Sequence, residues 1–351
     1  MIRPGVRYAG AFVAAARLAR DCHERAYNQR RMTATSEQVP KVRLRAAGHS
    51  DKGRKRKLNE DRFAVRDDLD LYVVCDGAGG HNAGDVAAAL AVRSIVNYVG
   101  ATLRSAREKP EFDRFGIPNG ARRISAAVHK ANADIIEISR TSHQHHGMGT
   151  TAVAALFTPR SGLIHVAHVG DSRCYRLRAG HLEQITQDHS LLTDVVENRP
   201  ELDETMLDRL PRNIITRALG VEAALRVSVR SHALVAGDRY LLCSDGLYTP
   251  LAASSIAQVL GATSKPDDTA AALVDAANAA GGPDNIATVV IDCDGGPHRA
   301  LPSGLSAPPP APHEQMIPDP ELLILGIEDI DLDDSASDEL LQSLGAIFAK
   351  K

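Results

Sequence analysis

LYVVCDGAGGHNAGD, residues 71–85, decides the fold. Leu71 to Cys75 is a continuous apolar run rich in Val and Tyr, the composition of a strand covered on both faces. Asp76 stands where that strand is predicted to end. Gly77, Gly79 and Gly80 clear side chains from around it, so that backbone or a ligand can approach. Asn82 to Tyr98, rich in Ala, Val, Ile and Leu, is predicted as a helix. A carboxylate at the lip of a core strand is rigid and open on one side. Taken alone, the stretch is first of all a tight β-to-α turn capped by an aspartate; repetition of the pattern elsewhere gives it chemical meaning.

Upstream, Lys41 to Ala47 alternates apolar and basic residues like an edge strand, and His49 to Leu58 is a loop carrying Lys52, Arg54, Lys55, Arg56 and Lys57. Such a run is ordinarily solvated. Here it leads into Asn59, Glu60 and Asp61 and a short strand, Arg62 to Val65. Acid beside base at that density is what a site for phosphate and metal needs.

Downstream, residues 105–118 read as a loop, and Ala121 to Ser139 as a helix with Ile124, Val128, Ala131, Ile135 and Ile138 on one face. His143, His145 and His146 raise a metal reading, which the Gly-rich context and the lack of neighbouring carboxylates disfavour. Strands are predicted at Thr150 to Phe157 and Leu163 to Val169, the second followed by Gly170-Asp171. A hairpin, Cys174 to Leu177 with Leu182 to Ile185, precedes a polar segment, Gln187 to Asn213, placed as a flap over a site. Further strands at Leu225 to Ser231 and Asp238 to Cys243 lead to Ser244-Asp245-Gly246. A helix at Thr269 to Ala280 and a sharp turn, Gly281 to Asn285, come before a final strand, Ile286 to Ile291.

Glu60, Asp61, Asp76, Asp171, Asp245 and Asp284 thus all fall where strands meet loops. Carboxylates gathered in one place force protonation on one another unless cations neutralise them. Oxygen ligands that leave room for water suit Mg²⁺ or Mn²⁺ better than zinc. Two such ions about 3.5 to 4 Å apart can clamp an in-line displacement at phosphorus.

Length and charge narrow the class. The 351 residues accommodate one large domain with tails, and 44% hydrophobic content with 4% aromatics means a core of Ala, Val, Leu and Ile. A net charge of −3 argues against nucleic acid as a general partner. Five cysteines, Cys22, Cys75, Cys174, Cys243 and Cys293, lie far apart with no CxxC pair, the pattern of buried thiols in a reducing cytoplasm. No apolar run is read as reaching the ~18 residues of a membrane span, and Ala9 to Ala16 is too short and too soon interrupted by Arg17 and Arg20 for a signal peptide. Residues 1–40 are read as a disordered extension or a mis-assigned start, with Met32 an alternative initiator.

The succession Arg56 with Asn59-Glu60-Asp61, Asp76-Gly77-Ala78-Gly79-Gly80, Gly147-Met148-Gly149-Thr150-Thr151, Gly170-Asp171-Ser172-Arg173, Ser244-Asp245-Gly246 and Gly282-Pro283-Asp284-Asn285 resembles the metal-dependent protein phosphatases of type 2C. The likeness is greatest to their bacterial branch and covers residues 41–294. It implies an α+β fold, a four-layer α-β-β-α sandwich with two central antiparallel sheets and a dinuclear metal site at one end. The cofactors implied are two Mn²⁺ or Mg²⁺ ions, with a weaker third. By that resemblance Asp76 bridges both ions, Asp245 and Asp284 complete the first site, and Glu60 with the Gly77 carbonyl holds the second. Asp61 orients bound water, Asp171 with Asp245 matches the weaker third site, and Arg56 grips the substrate phosphate. The reaction implied is direct attack of a metal-bridged hydroxide on phosphoserine or phosphothreonine.

One position departs from the pattern. Ala78 stands where many eukaryotic members carry a histidine credited with protonating the leaving group, so metal-bound water is the expected donor, with His81 a secondary candidate. The expected partners are phosphorylated proteins and the kinases they come from, with no nucleic acid and no membrane, and a monomeric catalytic domain. Alternatives from other classes are a pseudophosphatase binding module and a two-metal hydrolase of small phosphate esters.

Residues 295–320 shift to Pro, Ser and Ala and read as a linker. Residues 321–351 read as an acidic tail in which Leu340, Leu341, Leu344, Ile347 and Phe348 share one face of a short helix; a solvated tail is the first reading, and a tethered peptide that docks on a partner or on the basic rim is the competing one.

Overall fold

The computed structural model describes residues 42–79, 83–104, 112–113, 116–199, 204–207, 210–211, 214–262 and 265–295. The expectations for residues 1–40, for His81 and for residues 296–351 lie outside them. In chain order the elements are β1 (Arg43–Asp51), β2 (Asp61–Arg66), β3 (Leu71–Ala78), α1 (Ala83–Arg104), α2 (Asn119–Thr141), β4 (Gly149–Thr150), β5 (Ala152–Thr158), β6 (Leu163–Val169), β7 (Arg173–Arg178) and β8 (His181–Gln184). Then follow α3 (Leu191–Asn198), α4 (Glu204–Leu207), β9 (Ser228–Ala233), β10 (Arg239–Cys243), α5 (Asp245–Tyr248), α6 (Ala253–Ala262), α7 (Pro266–Ala279) and β11 (Ile286–Asp294).

The strands make two antiparallel sheets, β1-β11-β10-β7-β8 and β2-β3-β5-β6-β9, with β4 paired to β3. The apolar run of β3 shows why a strand with no polar face is needed. Leu71, Val73 and Cys75 point toward α1 and α2, whereas Tyr72 and Val74 point between the sheets. In the other sheet β10 divides in the same way: Tyr240 and Leu242 face the first sheet, and Leu241 and Cys243 face α6 and α7. Three apolar layers therefore alternate with two sheets, which is the predicted α-β-β-α sandwich. Phe157 joins the central layer by edge-to-face contacts with Tyr72 (5.6 Å between centroids) and Tyr240 (5.5 Å).

Ala83–Leu103 is long and apolar enough to cross a membrane, which corrects the expectation that no segment reaches that length. Its apolar face is used internally: Ala87, Ala91, Ile95 and Val99 are buried in the layer beneath β3. A second correction concerns α6, which lies in a stretch for which no helix was predicted.

Two histidines of β6 are built into this interior. His165 bonds Ser231 (2.8 Å) and Thr158 (3.2 Å), and His168 donates from Nε2 to the Gln187 carbonyl (2.7 Å). Burial, with lesser repulsion from Arg123 and His232 in the first case, pushes the pKa of each down to about 4 from an ordinary 6.5. The unfolded chain therefore takes up these protons at higher pH than the folded one. Stability is complete above pH 6.5 and falls as pH drops from 6.5 toward 4, by about 1.4 kcal/mol per unit for each histidine. Urea midpoints measured between pH 8 and 4.5 will be level above 7 and decline below 6.5; a level curve to 4.5 would contradict this account.

Candidate metal centre

Strand register gathers the predicted acids at one end of the sandwich. In one sheet the end of β1 meets the start of β11 (Asp51 opposite Ile286), and the end of β10 meets the start of β7 (Cys243 opposite Arg173). In the other, Asp61 at the start of β2 pairs with Asp76 of β3, and the start of β5 meets the end of β6 (Ala152 opposite Val169). The loops bearing Glu60, Asp171, Asp245 and Asp284 all leave from this end.

Asp76 lies inside β3, two residues before its end rather than after it, because Gly77 and Ala78 pair with Thr150 and Gly149 of β4. Its main chain is held from the Gly-Thr-Thr turn. The Asp76 N–H donates to Thr151 Oγ1 (3.0 Å), and its carbonyl accepts from Thr150 Oγ1 and the Thr151 N–H (2.9 Å each). Asp61 is buried, and Ser244 Oγ donates to its Oδ2 (2.6 Å) while accepting from the Ala287 N–H (2.9 Å). That bond ties the two sheets together beside Asp76.

Close backbone contact brings Glu60 in. A Cβ on Gly77 would lie 2.1 Å from the Gly84 carbonyl oxygen, and one on Gly84 would lie 2.7 Å from Glu60 Oε1. With both absent, the Asp85 N–H at the positive end of α1 reaches the Glu60 carboxylate. Arg62 secures this corner by pairing with Asp85 and donating to the Asn59 and Asp61 carbonyls (2.9 and 2.8 Å). Burial, and behind it Asp85 and Asp284, hold the Glu60 carboxyl above its ordinary pKa despite Arg56. For Gly84→Ala we expect circular dichroism to show the helix intact, since alanine favours helix. Titration calorimetry will show Mn²⁺ affinity reduced about tenfold by the displaced carboxylate; unchanged affinity would remove Glu60 from the centre.

Arg56 donates from Nη2 to Asp284 Oδ2 (2.8 Å). Burial works against its charge, yet Asp284, Asp76 and Asp245 together keep its pKa above the ordinary value. This guanidinium therefore sits among three of the predicted ligands. Its loop is clasped by Asn285, itself buried: Nδ2 donates to the carbonyls of Lys52 (2.9 Å) and Leu58 (2.7 Å), and Oδ1 accepts from the Glu60 N–H (2.8 Å). Lys52, Arg54, Lys55 and Lys57 point outward and are exposed.

Asp245 opens α5. Gly246 lies so near the neighbouring loop that a Cβ there would be 1.9 Å from the Asn285 carbonyl oxygen, which brings Asp245 beside Asp284. Asp171 and Asp245 both lie around the Tyr248 phenol. All the predicted site residues, Arg56, Glu60, Asp61, Asp76, Gly77, Asp171, Asp245 and Asp284, are thus at one end of the sandwich. His143 is exposed on a 3₁₀ turn, His143–His145, after α2, and His146 is exposed just past it.

The donors are carboxylates and a carbonyl. Among the described residues no three carboxylate, imidazole or thiol side chains converge tightly enough to hold an ion by themselves. An open ring of hard oxygen donors suits Mg²⁺ or Mn²⁺, which keep several of their own waters, and does not suit zinc. The residues fit the implied ions: Asp76, Asp245 and Asp284 on one side, Glu60 and the Gly77 carbonyl on the other.

Ser244, Asn285, Asp85 and Tyr248 were given no role by the sequence reading. Two signals were available: Ser244 and Asn285 each adjoin a predicted ligand aspartate, and Tyr248 follows Asp245 at helical spacing.

A family model described as protein phosphatase 2C matches residues 48–277. The chain is 32% identical over 256 residues to the serine/threonine phosphatase stp of Listeria monocytogenes serotype 4b, covering 72% of this chain and 96% of that protein. It is 36% identical over 251 residues to the serine/threonine protein phosphatase PstP of Mycobacterium tuberculosis, covering 71% of this chain and 45% of PstP. A crystal structure of the PstP catalytic domain in complex with two manganese ions superposes with a TM-score of 0.60 at 33% identity, covering 72% of this chain and 99% of that one.

Proposed function

Because the chain belongs to the protein phosphatase 2C family, we infer that it is a metal-dependent serine/threonine phosphatase that removes phosphate from phosphoserine and phosphothreonine in proteins. The observation that supports this reading is Arg56, bonded to Asp284 and held charged by Asp76 and Asp245 as well, a cation set among carboxylates of the kind that hold metal ions. Bound Mn²⁺ or Mg²⁺ supplies an activated water and neutralises charge on the phosphoryl oxygens. Arg56 grips and orients the phosphate monoester, and its anchorage at Asp284 fixes the guanidinium before substrate arrives. Asp61, locked by Ser244, accepts a hydrogen bond from the attacking water and aims it in line with the ester oxygen. The water oxygen–phosphorus bond forms as the bond from phosphorus to the side-chain oxygen breaks. Ala78 has no proton to give, so water in the cleft would protonate the departing serine or threonine alkoxide, and the proton shed by the attacking water leaves to solvent.

Further parts of the reading concern partners. The phosphoproteins are products of serine/threonine kinases in the cytoplasm, the catalytic domain, residues 41–294, acts as a monomer, and the acidic tail docks on a partner or on the Lys52 to Lys57 rim. One assay tests the core of this: phosphate release from a phosphothreonine peptide will require Mn²⁺ or Mg²⁺ and stop with EDTA. Release unaffected by EDTA would overturn the metal-dependent reading. The same assay on a chain lacking residues 297–351 reads the tail, and unchanged rate, affinity and partner capture remove its docking role.

A further inference from the structure

The Asp171 turn is connected to the helix that begins with Asp245 by one side chain. Tyr248, the last residue of α5, donates its phenol hydrogen to the Asp171 main-chain carbonyl (2.9 Å). The Thr249 N–H closes the α5 turn onto the Asp245 carbonyl (2.9 Å), so Asp245 and Tyr248 move as one unit. The ring itself has little freedom. The Arg173 guanidinium lies 3.6 Å over its centroid, and Arg173 is fixed in turn by Asp188 (2.6 to 3.1 Å) and by the Tyr175 hydroxyl (2.8 Å).

On the phosphatase reading above, and with the weaker cation subsite that the resemblance assigns to Asp171 and Asp245, we propose that Tyr248 is a positioning residue that sets the separation of those two aspartates and thereby the affinity of that subsite. The hydroxyl acts through the backbone of Asp171. Arg173 acts one step further out, holding the ring over which its charge is stacked. Because the phenol bonds a main-chain carbonyl, removal of the hydroxyl alone releases the turn without altering the ligand set.

The test is a Mn²⁺ titration of the full chain, followed by electron paramagnetic resonance and calorimetry, for wild type, Tyr248→Phe, Asp171→Asn and the double variant. Tyr248→Phe keeps the ring and its stacking. We expect it to weaken the loosest ion about fivefold, the worth of one hydrogen bond, while the tighter ions keep their wild-type affinity. Asp171→Asn will remove the loose ion, and adding Tyr248→Phe to it will change nothing more. A variant in which all ions weaken together, or in which only the melting temperature falls, shows a merely structural tyrosine and overturns the proposal. So does a further loss in the double variant. Persistence of the tight ions in Asp76→Asn would instead overturn the parent reading of the centre.

Discussion

Asp76→Asn is expected to abolish phosphatase activity while leaving the fold intact. Hydrogen bonds from Thr150 and Thr151 reach the Asp76 main chain, not its carboxylate, so an isosteric amide leaves them in place. What changes is the anionic oxygen pair that, with Asp245 and Asp284, acts on the Arg56 guanidinium. A ligand shared by two ions has no substitute nearby, and we expect kcat to fall by a thousandfold or more, about 4 kcal/mol of lost barrier reduction. Stability will respond with the opposite sign. Without metal, the variant has one fewer buried charge repelling its neighbours and will melt at or above the wild-type temperature. Wild type will gain stability as Mn²⁺ is raised, by about 2.7 kcal/mol at a hundred times the dissociation constant, and the variant will gain little. Calorimetry with and without Mn²⁺, beside a peptide assay, reads both. Activity within tenfold of wild type would refute the bridging role.

Asn285→Ala is the second large effect, and it strikes stability and chemistry together. One buried amide satisfies three main-chain groups, the carbonyls of Lys52 and Leu58 and the N–H of Glu60. Its loss leaves them to find water at a partly buried position, at a cost of roughly 3 kcal/mol in total. The loop from Lys52 to Leu58 then loses its clasp, and with it the placement of Arg56 and of the Glu60 main chain. A tenfold to hundredfold fall in kcat/KM is expected on about the scale seen when groups supporting a metal ligand are removed. Asn285→Asp is the sharper control: it keeps size and the acceptor but turns the donor toward two carbonyls into a repelling oxygen. A urea midpoint and kcat/KM both near wild type in Asn285→Ala would show that the loop holds its shape by other means.

The two predictions differ in how far they were visible beforehand. Asp76 was legible because an acid ending an apolar run is a local anomaly, and the same anomaly recurs at Asp171 and Asp245. The strand pattern was legible for a similar reason, since period-two alternation and unbroken apolar runs state directly how many faces are buried. Asn285 was quoted in a motif yet given no work, because its partners lie more than 200 residues away in sequence. No local pattern reports a contact of that range. The extension of β3 through Gly77 and Ala78 was hidden likewise, since glycines carry little strand signal and the pairing residues, Gly149 and Thr150, are supplied from elsewhere. The helix Ala253–Ala262 was missed because a ten-residue stretch of Ala, Ser, Ile and Val has neither a long period nor charged flanks to mark it.

The pairing of β1 with β11 joins the first strand of the domain to the last, with Asp51 opposite Ile286 at the catalytic end. Glu60 and Arg56 leave from the early partner, Asp284 and Asn285 from the late one. Catalytic competence therefore waits for the last strand of the domain and does not arrive gradually along it. A ribosome-bound chain that has not yet exposed residue 285 holds Arg56 and Asp76 without Asp284, and long-range closure of this kind is a slow step in folding. Such an order of assembly makes the appearance of activity a mark that the two ends of the domain have met.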